Sequence, residues 1–233
     1  MGRLAVVGGH TLVGTPWGTA STRHDVAVDG TAVTWFDAGS HVVLHRHGVD
    51  DYTPAHRVDH TAHVRALLDA GCDRVLALSS VGALHVDTAV GTLVVPHDFV
   101  ALHGPVAAYH DARSHIVPAF DANWRAQVLD AVRTESPTVV DGGVYWESTG
   151  PRFETPAEVR MLAQFADLVG MTAASEAVVA QEVGLRYAVL CVVDNLANGL
   201  RADPLTFDEF EAGKGATGPA VLALLDAVVP ILA

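Results

Sequence analysis

Three short stretches carry residue types that can hold an oxyanion, and each trails a β-like run. His45-Arg46-His47-Gly48 follows the run at 41–44, and a guanidinium there can fork onto two phosphate oxygens. Strand alternation cannot bury all three polar side chains on one face, so at least one meets solvent or a cleft. Ser79-Ser80-Val81-Gly82 closes the run at 75–78 and offers hydroxyls and backbone donors at a carboxyl end, where open α/β sheets bind ligands. Gly8-Gly9-His10 closes the run at 4–7, and a glycine turn lets backbone N–H groups approach an anion. An ordinary tight turn would look the same. The G-x-G-x-x-G spacing of a dinucleotide site is absent.

Charge balance makes these stretches informative. Fourteen Lys plus Arg against 27 Asp plus Glu give a formal net charge of -13. No basic surface is available for a nucleic-acid backbone, so a polymer partner is not expected. An anion would need a local pocket of Arg, His and backbone donors. Hydrophobic residues make up 50% of the chain and mean hydropathy is +0.28, but charges are expected to interrupt the apolar stretches before the ~20 residues that span a bilayer. No membrane partner is expected. The N-terminus reads as a first strand rather than a signal peptide. Cys72 and Cys191 are the two cysteines and read as core thiols in a reducing, cytoplasmic setting.

The 233 residues show no repeat or long linker, so a single domain over 1–233 is expected. β-like runs recur at 4–7, 26–28, 33–36, 42–44, 75–78, 93–95, 139–145 and 187–193. Helical patterns are expected at 56–70, ended by Gly71, and at 124–133. Thr155-Pro156-Ala157-Glu158 has the N-cap, proline and glutamate of a helix start, and Thr206-Phe207-Asp208-Glu209 marks another. A further helix is expected from about Ser175 to Glu182, stopping at Gly184. The fold class is α/β, with a mixed central sheet flanked by helices.

The stretch from Gly142 to Asn195 is more specific. It contains Gly150-Pro151-Arg152-Phe153-Glu154-Thr155, then Val169-Gly170-Met171-Thr172, then the run from Glu176 to Gly184-Leu185. With Arg46-His47-Gly48, Ser79-Ser80-Val81-Gly82 and Pro96-His97-Asp98-Phe99 in order, nearly the whole chain resembles the trimeric purine nucleoside phosphorylase and methylthioadenosine phosphorylase family. The resemblance implies a nucleoside phosphorylase-like fold and phosphate-dependent cleavage of a purine nucleoside, with inorganic phosphate as co-substrate and no cofactor or metal. It implies a phosphate pocket of the first glycine turn with His10, Arg46, His47, Ser79, Ser80 and Thr172. Met171 would pack on the ribose, Phe153 would line the purine pocket, and Glu154 with Asn195 would hold the base. A homotrimer follows from the same resemblance, with His115 reaching a neighbouring subunit's sugar pocket.

The chemistry fits those assignments. An Asn195 amide can donate to N7 and O6, and an ionised Glu154 can accept the N1 hydrogen that 6-oxopurines carry and 6-aminopurines lack. Hypoxanthine or guanine is therefore the expected base. A carboxylate just before a capped helix also suits the helix dipole. Five positions depart from the family's pattern. His10 replaces a Ser or Thr hydroxyl, Asp50 and Asp51 follow the phosphate-binding turn, Asp194 precedes Asn195, and Phe207 stands where relatives place a His near the 5′-hydroxyl. If Asp194 rather than Asn195 faced the purine, adenine and a methylthioadenosine substrate would be favoured. Phe207 packs well on a methylthio group, which makes methylthioinosine a candidate substrate. Two rival classes are a metal-dependent hydrolase, from His56, His60 and His63 at i, i+4 and i+7, and a non-catalytic purine-binding homologue, from the departures near the reacting groups.

Overall fold

The runs at 4–7, 75–78 and 187–193 are continuously apolar rather than alternating, the pattern of strands covered on both faces. In the computed structural model, which describes residues 2–104 and 106–233, they become neighbouring parallel strands: β1 (Arg3–Gly8), β5 (Cys72–Ala83) and β11 (Arg186–Leu196). Around them run β2 (Thr22–Val28), β3 (Thr31–Asp37), β4 (His41–His45), β6 (Leu93–Val95), β7 (Asp98–Ala101), β8 (Val140–Asp141), β9 (Val144–Glu147) and β10 (Leu168–Gly170). The mixed sheet runs β2-β3-β4-β1-β5-β10-β9-β7, and β11 on the other flank of β5 carries β6 and β8.

Period-two alternation sends side chains to two helical layers. Leu4, Val6, Leu76, Leu190 and Val192 pack with α2 (Ala122–Glu135) and α5 (Phe207–Leu232). Ala5, Val7, Val75, Ala77, Val189 and Cys191 pack with α1 (His60–Asp69) and α4 (Ala173–Glu182). A small cluster lies beneath α3 (Pro156–Leu162). Both cysteines are buried and unbridged.

The local signals mostly act as read. Thr155 and Glu158 form a reciprocal capping box on α3, and Thr206 accepts from Glu209 N to start α5. Gly71 and Gly184 follow α1 and α4 with φ of +82° and +83°. Two expectations change. The helix expected at 56–70 begins at His60, because Asp59 caps it by accepting from Ala62 N and His56 belongs to a separate single turn, Ala55–Arg57. The three histidines therefore do not share one helix face, and among the described residues no group of three His, Cys, Asp or Glu could hold a metal ion. The run at 139–145 is split into β8 and β9 by Gly142 and Gly143, both with positive φ. The strands β7 and β10 were not among the expected runs: β7 opens on Asp98, and β10 has two apolar residues before Gly170.

One helix, α5, is long and apolar enough to span a bilayer by length and composition, contrary to the expectation that charges break up every such stretch. Its Val221, Leu225, Val228 and Val229 are buried against the sheet.

Candidate active site

The site grows from a gap in the sheet. β1 pairs with β5 only as far as Ala77, and β10 joins the same flank antiparallel at Gly82 and Ala83. Between those neighbours, residues 78–81 of β5 are unpaired on that flank, and Ser79, Ser80 and Val81 line an opening. Ser79, Ser80, Arg46, His47, His10, Met171, Thr172, Phe153, Glu154, Asn195 and Phe207 all border this one cavity, with Tyr52 and Phe210 beside them. The residues expected on an anion and those expected on a base therefore converge, although 149 positions separate Arg46 from Asn195.

Arg46 is buried, and its orientation is set from α4. Its Nε and Nη2 donate to Glu176 Oε1 and Oε2 at 2.9 and 2.8 Å, and Nη1 donates to Leu78 O at 2.9 Å. Of the five N–H donors of a guanidinium, one on each terminal nitrogen is left for a ligand. Burial opposes charge on both partners, but their mutual attraction holds Arg46 protonated and Glu176 far below the ordinary carboxylate range. Tyr187 Oη also donates to Glu176, at 2.7 Å. Glu176 was legible only as part of a motif. Its signal was a lone carboxylate in the small, apolar run AASEAVVA.

The two histidines differ from expectation. His47 Nδ1 lies 2.9 Å from Thr53 O, and burial with the nearby Arg46 charge pushes its pKa down to about 3. His10 was expected to donate to phosphate, but its Nε2 lies 2.7 Å from Glu211 Oε1 on α5, so that N–H is already engaged. Burial, outweighing Glu211, lowers its pKa. Asp50 and Asp51 do not crowd the cavity. Asp50 is exposed and pairs with Arg23 at 2.5 Å, and Asp51 is exposed outside the cavity wall.

Thr172 is the N-cap of α4, but its side chain makes no capping bond, so the hydroxyl is uncommitted. The first α4 amides are already spent. Those of Thr172 and Ala173 donate to Tyr145 Oη, and those of Ala174 and Ser175 donate to buried Glu147. Burial opposes ionisation of Glu147, yet His103 at 2.8 Å and the bonds from Ser175 hold it below its ordinary range. An anion in the cavity would thus meet side chains and the β5 edge rather than the α4 terminus.

On the facing wall, Glu154 is buried and its Oε1 has no hydrogen-bond partner. Burial raises its pKa. Such an oxygen is costly until a donor arrives. Beside it, Asn195 spends one amide N–H on Leu196 O at 2.9 Å, which leaves a second N–H and the carbonyl. β11 pairs Val193 with Val81 and Asn195 with Gly82, so Asp194 is the extra residue of a β-bulge. That bulge separates the two neighbours. Asn195 borders the cavity, whereas the Asp194 carboxylate accepts from Ser80 Oγ and, at 2.6 Å, from Thr217 Oγ1. The alternative in which Asp194 faces the purine is not the arrangement observed.

The mouth is aromatic. Phe210 lies 5.8 Å from Phe153, 6.0 Å from Phe207 and 5.0 Å from His10 between ring centroids. Phe210 was missed in the sequence, although it follows Phe207 at i+3 on a capped helix. His115 is exposed and stands away from this chain's cavity.

Comparison with known proteins agrees with this geometry. Residues 2–230 match the family model described as the phosphorylase superfamily. A probable 6-oxopurine nucleoside phosphorylase of Archaeoglobus fulgidus is 39% identical over 201 residues, covering 85% of this chain and 79% of the relative. A probable S-methyl-5′-thioinosine phosphorylase of Methanosarcina acetivorans is 32% identical over 217 residues, covering 91% and 80%. The solved methylthioadenosine phosphorylase of Schistosoma mansoni, in complex with adenine, superposes with a TM-score of 0.84 over 99% of this chain and 92% of that one. At 23% identity that is a likeness of fold. With a match over nearly its whole length and relatives above 30% identity, the chain belongs to the phosphorylase superfamily.

Proposed function

We propose that this protein is a 6-oxopurine nucleoside phosphorylase with a 5′-methylthio substrate, methylthioinosine, among those it accepts. The observation that carries the base assignment is the buried, unpartnered Glu154 oxygen on the same cavity as the Arg46 cradle. A 6-oxopurine brings the N1–H that this acceptor needs, and a 6-aminopurine does not. Asn195 offers the complementary amide for N7 and O6.

Arg46, the Thr172 hydroxyl and the β5 edge at Ser79 and Ser80 orient inorganic phosphate beneath the sugar. A phosphate oxygen forms a bond to C1′ as the C1′–N9 bond breaks. The electron pair departs onto the purine, where the Asn195 amide N–H steadies the charge and the Glu154 carboxylate accepts the N1–H; the proton carried by the phosphate passes to the purine and completes the free base. No cofactor enters this scheme, and the products are the free base and ribose 1-phosphate or its 5-methylthio form. His115 stands on an exposed segment with Val117 87% exposed. This supports a homotrimer in which that segment meets a neighbour's sugar pocket.

The test is a panel of inosine, guanosine, adenosine, methylthioadenosine and methylthioinosine with and without phosphate. Phosphate-dependent release of hypoxanthine or guanine, with little adenine, is the expected result. Release of bases without phosphate, or adenine as the main product, would defeat the reading.

The 5′ assignment rests on Phe207, Phe210 and Phe153 as an apolar contact surface. Phe207→His is expected to lower the preference for methylthioinosine over inosine by about tenfold, the scale of one small apolar group in a pocket. The ratio of the two kcat/KM values measures it, and an unchanged ratio would remove Phe207 from the 5′ contact.

A further inference from the structure

We propose that His47 reads the proton on phosphate: its bare Nε2 accepts a hydrogen bond from a P–OH group, so the cradle selects a protonated oxyanion over an unprotonated one. This rests on the cavity being the phosphate site. Thr53 O can only accept, so the 2.9 Å contact fixes the ring hydrogen on Nδ1. A neutral imidazole carries one N–H, which leaves Nε2 as a lone pair. The loop locks the arrangement. Thr53 N donates back to His47 O at 2.7 Å, and Gly48, at φ +84°, passes so near Asp51 O that a Cβ would sit 2.2 Å from it. The Tyr52 ring stacks on His47 at 5.7 Å.

The surroundings keep the ring neutral. Burial comes first, then the Arg46 charge; His10 adds to them, and Glu176 opposes them from behind Arg46. His10 has given its Nε2–H to Glu211, so it does not supply a substitute donor from that nitrogen. The remaining oxygens of the anion find donors in the two spare Arg46 N–H groups and the Thr172 hydroxyl. One oxygen is then left for an acceptor. Near pH 8 phosphate carries one proton to satisfy it, and sulfate, of the same shape and charge, carries none. A site that holds a buried acceptor for a ligand hydroxyl rejects the analogue lacking it.

Calorimetry with inorganic phosphate and inorganic sulfate at pH 8, in two buffers of different ionisation enthalpy, tests this on the wild-type protein. Phosphate should bind at least about thirtyfold tighter than sulfate, the scale of one buried hydrogen bond made or left unmade. Binding should take up close to no protons. Comparable affinities, or uptake of about one proton with sulfate as well as with phosphate, would overturn the inference, because sulfate takes no proton itself and His47 must then bind as a cation and donate. His47→Gln supplies a second readout. Its amide can turn to donate, so the phosphate-to-sulfate ratio should shrink at least about tenfold; a preserved ratio counts against His47. Turnover is not needed for any of these measurements. Selective phosphate binding without phosphorolysis would therefore defeat the proposed enzyme function and leave the His47 inference supported.

Discussion

Arg46→Ala is expected to lower kcat/KM for phosphate by about three orders of magnitude while leaving the ratio between purine bases unchanged. The expected scale is that of removing a preorganised charged donor from a dry site. The same change strips Glu176 of its cation. Glu176 is 1% exposed, and a buried carboxylate without its partner costs about 3–5 kcal/mol. Loss of activity could then reflect partial unfolding. Arg46→Met with Glu176→Gln separates the two effects, because it removes both charges together. Thermal unfolding should show the double variant recovering much of the stability lost in Arg46→Ala, while phosphate use stays low in both. Recovery of phosphate use in the double variant would show that Arg46 matters only as a structural cation.

Glu154→Gln should act in opposite directions on activity and stability. An amide accepts the N1 hydrogen without a charge and can instead donate to N1 of a 6-aminopurine. The kcat/KM for inosine should fall about a hundredfold, and the preference over adenosine should narrow. In the unliganded protein the variant should be more stable at neutral pH by about 1 kcal/mol, the low end of the cost of an unsatisfied buried group. The sign follows from the raised pKa of Glu154. A carboxyl whose folded pKa lies above its unfolded one contributes stability that is complete below the unfolded value and is lost as pH rises through the folded value. The gain from Glu154→Gln should therefore appear on the neutral side and fade in acid below the ordinary glutamate pKa. For a chain of this size it corresponds to about 2–4 °C in Tm, measured at pH 7 and again near pH 4. A variant less stable than wild type at pH 7 would show that Glu154 is satisfied in the free protein.

The two predictions probe opposite walls of one cavity, and the walls differ in character. Arg46 is over-determined: Glu176 and Leu78 O fix it before any ligand arrives. Glu154 is left wanting a donor. The anion side is thus preorganised, whereas the base side holds an unmet bond that the substrate itself completes. That division suits a reaction in which the nucleophile must be aimed and the leaving group must be recognised as it gains charge.

The sequence by itself determined the local features, because these depend on neighbours along the chain. The Thr155 capping box, the Thr206 cap and the glycines after α1 and α4 form from residues within a few positions of one another. Continuous apolar runs were enough to name the central strands, and the family resemblance carried by the ordered motifs named Arg46, Ser79, Glu154, Thr172 and Asn195 as candidates. Tertiary structure decided what those candidates can do. Glu176 aims Arg46 across 130 residues, Thr53 O selects which nitrogen of His47 carries the hydrogen, and Glu211 on the last helix takes the His10 N–H. A one-residue bulge in β11, set by its register with β5, turns Asp194 toward Ser80 and Thr217 and leaves Asn195 on the cavity wall. Spacing along a strand foretells alternation but not where alternation slips, and a side chain's residue type foretells its donors but not which neighbour claims them first.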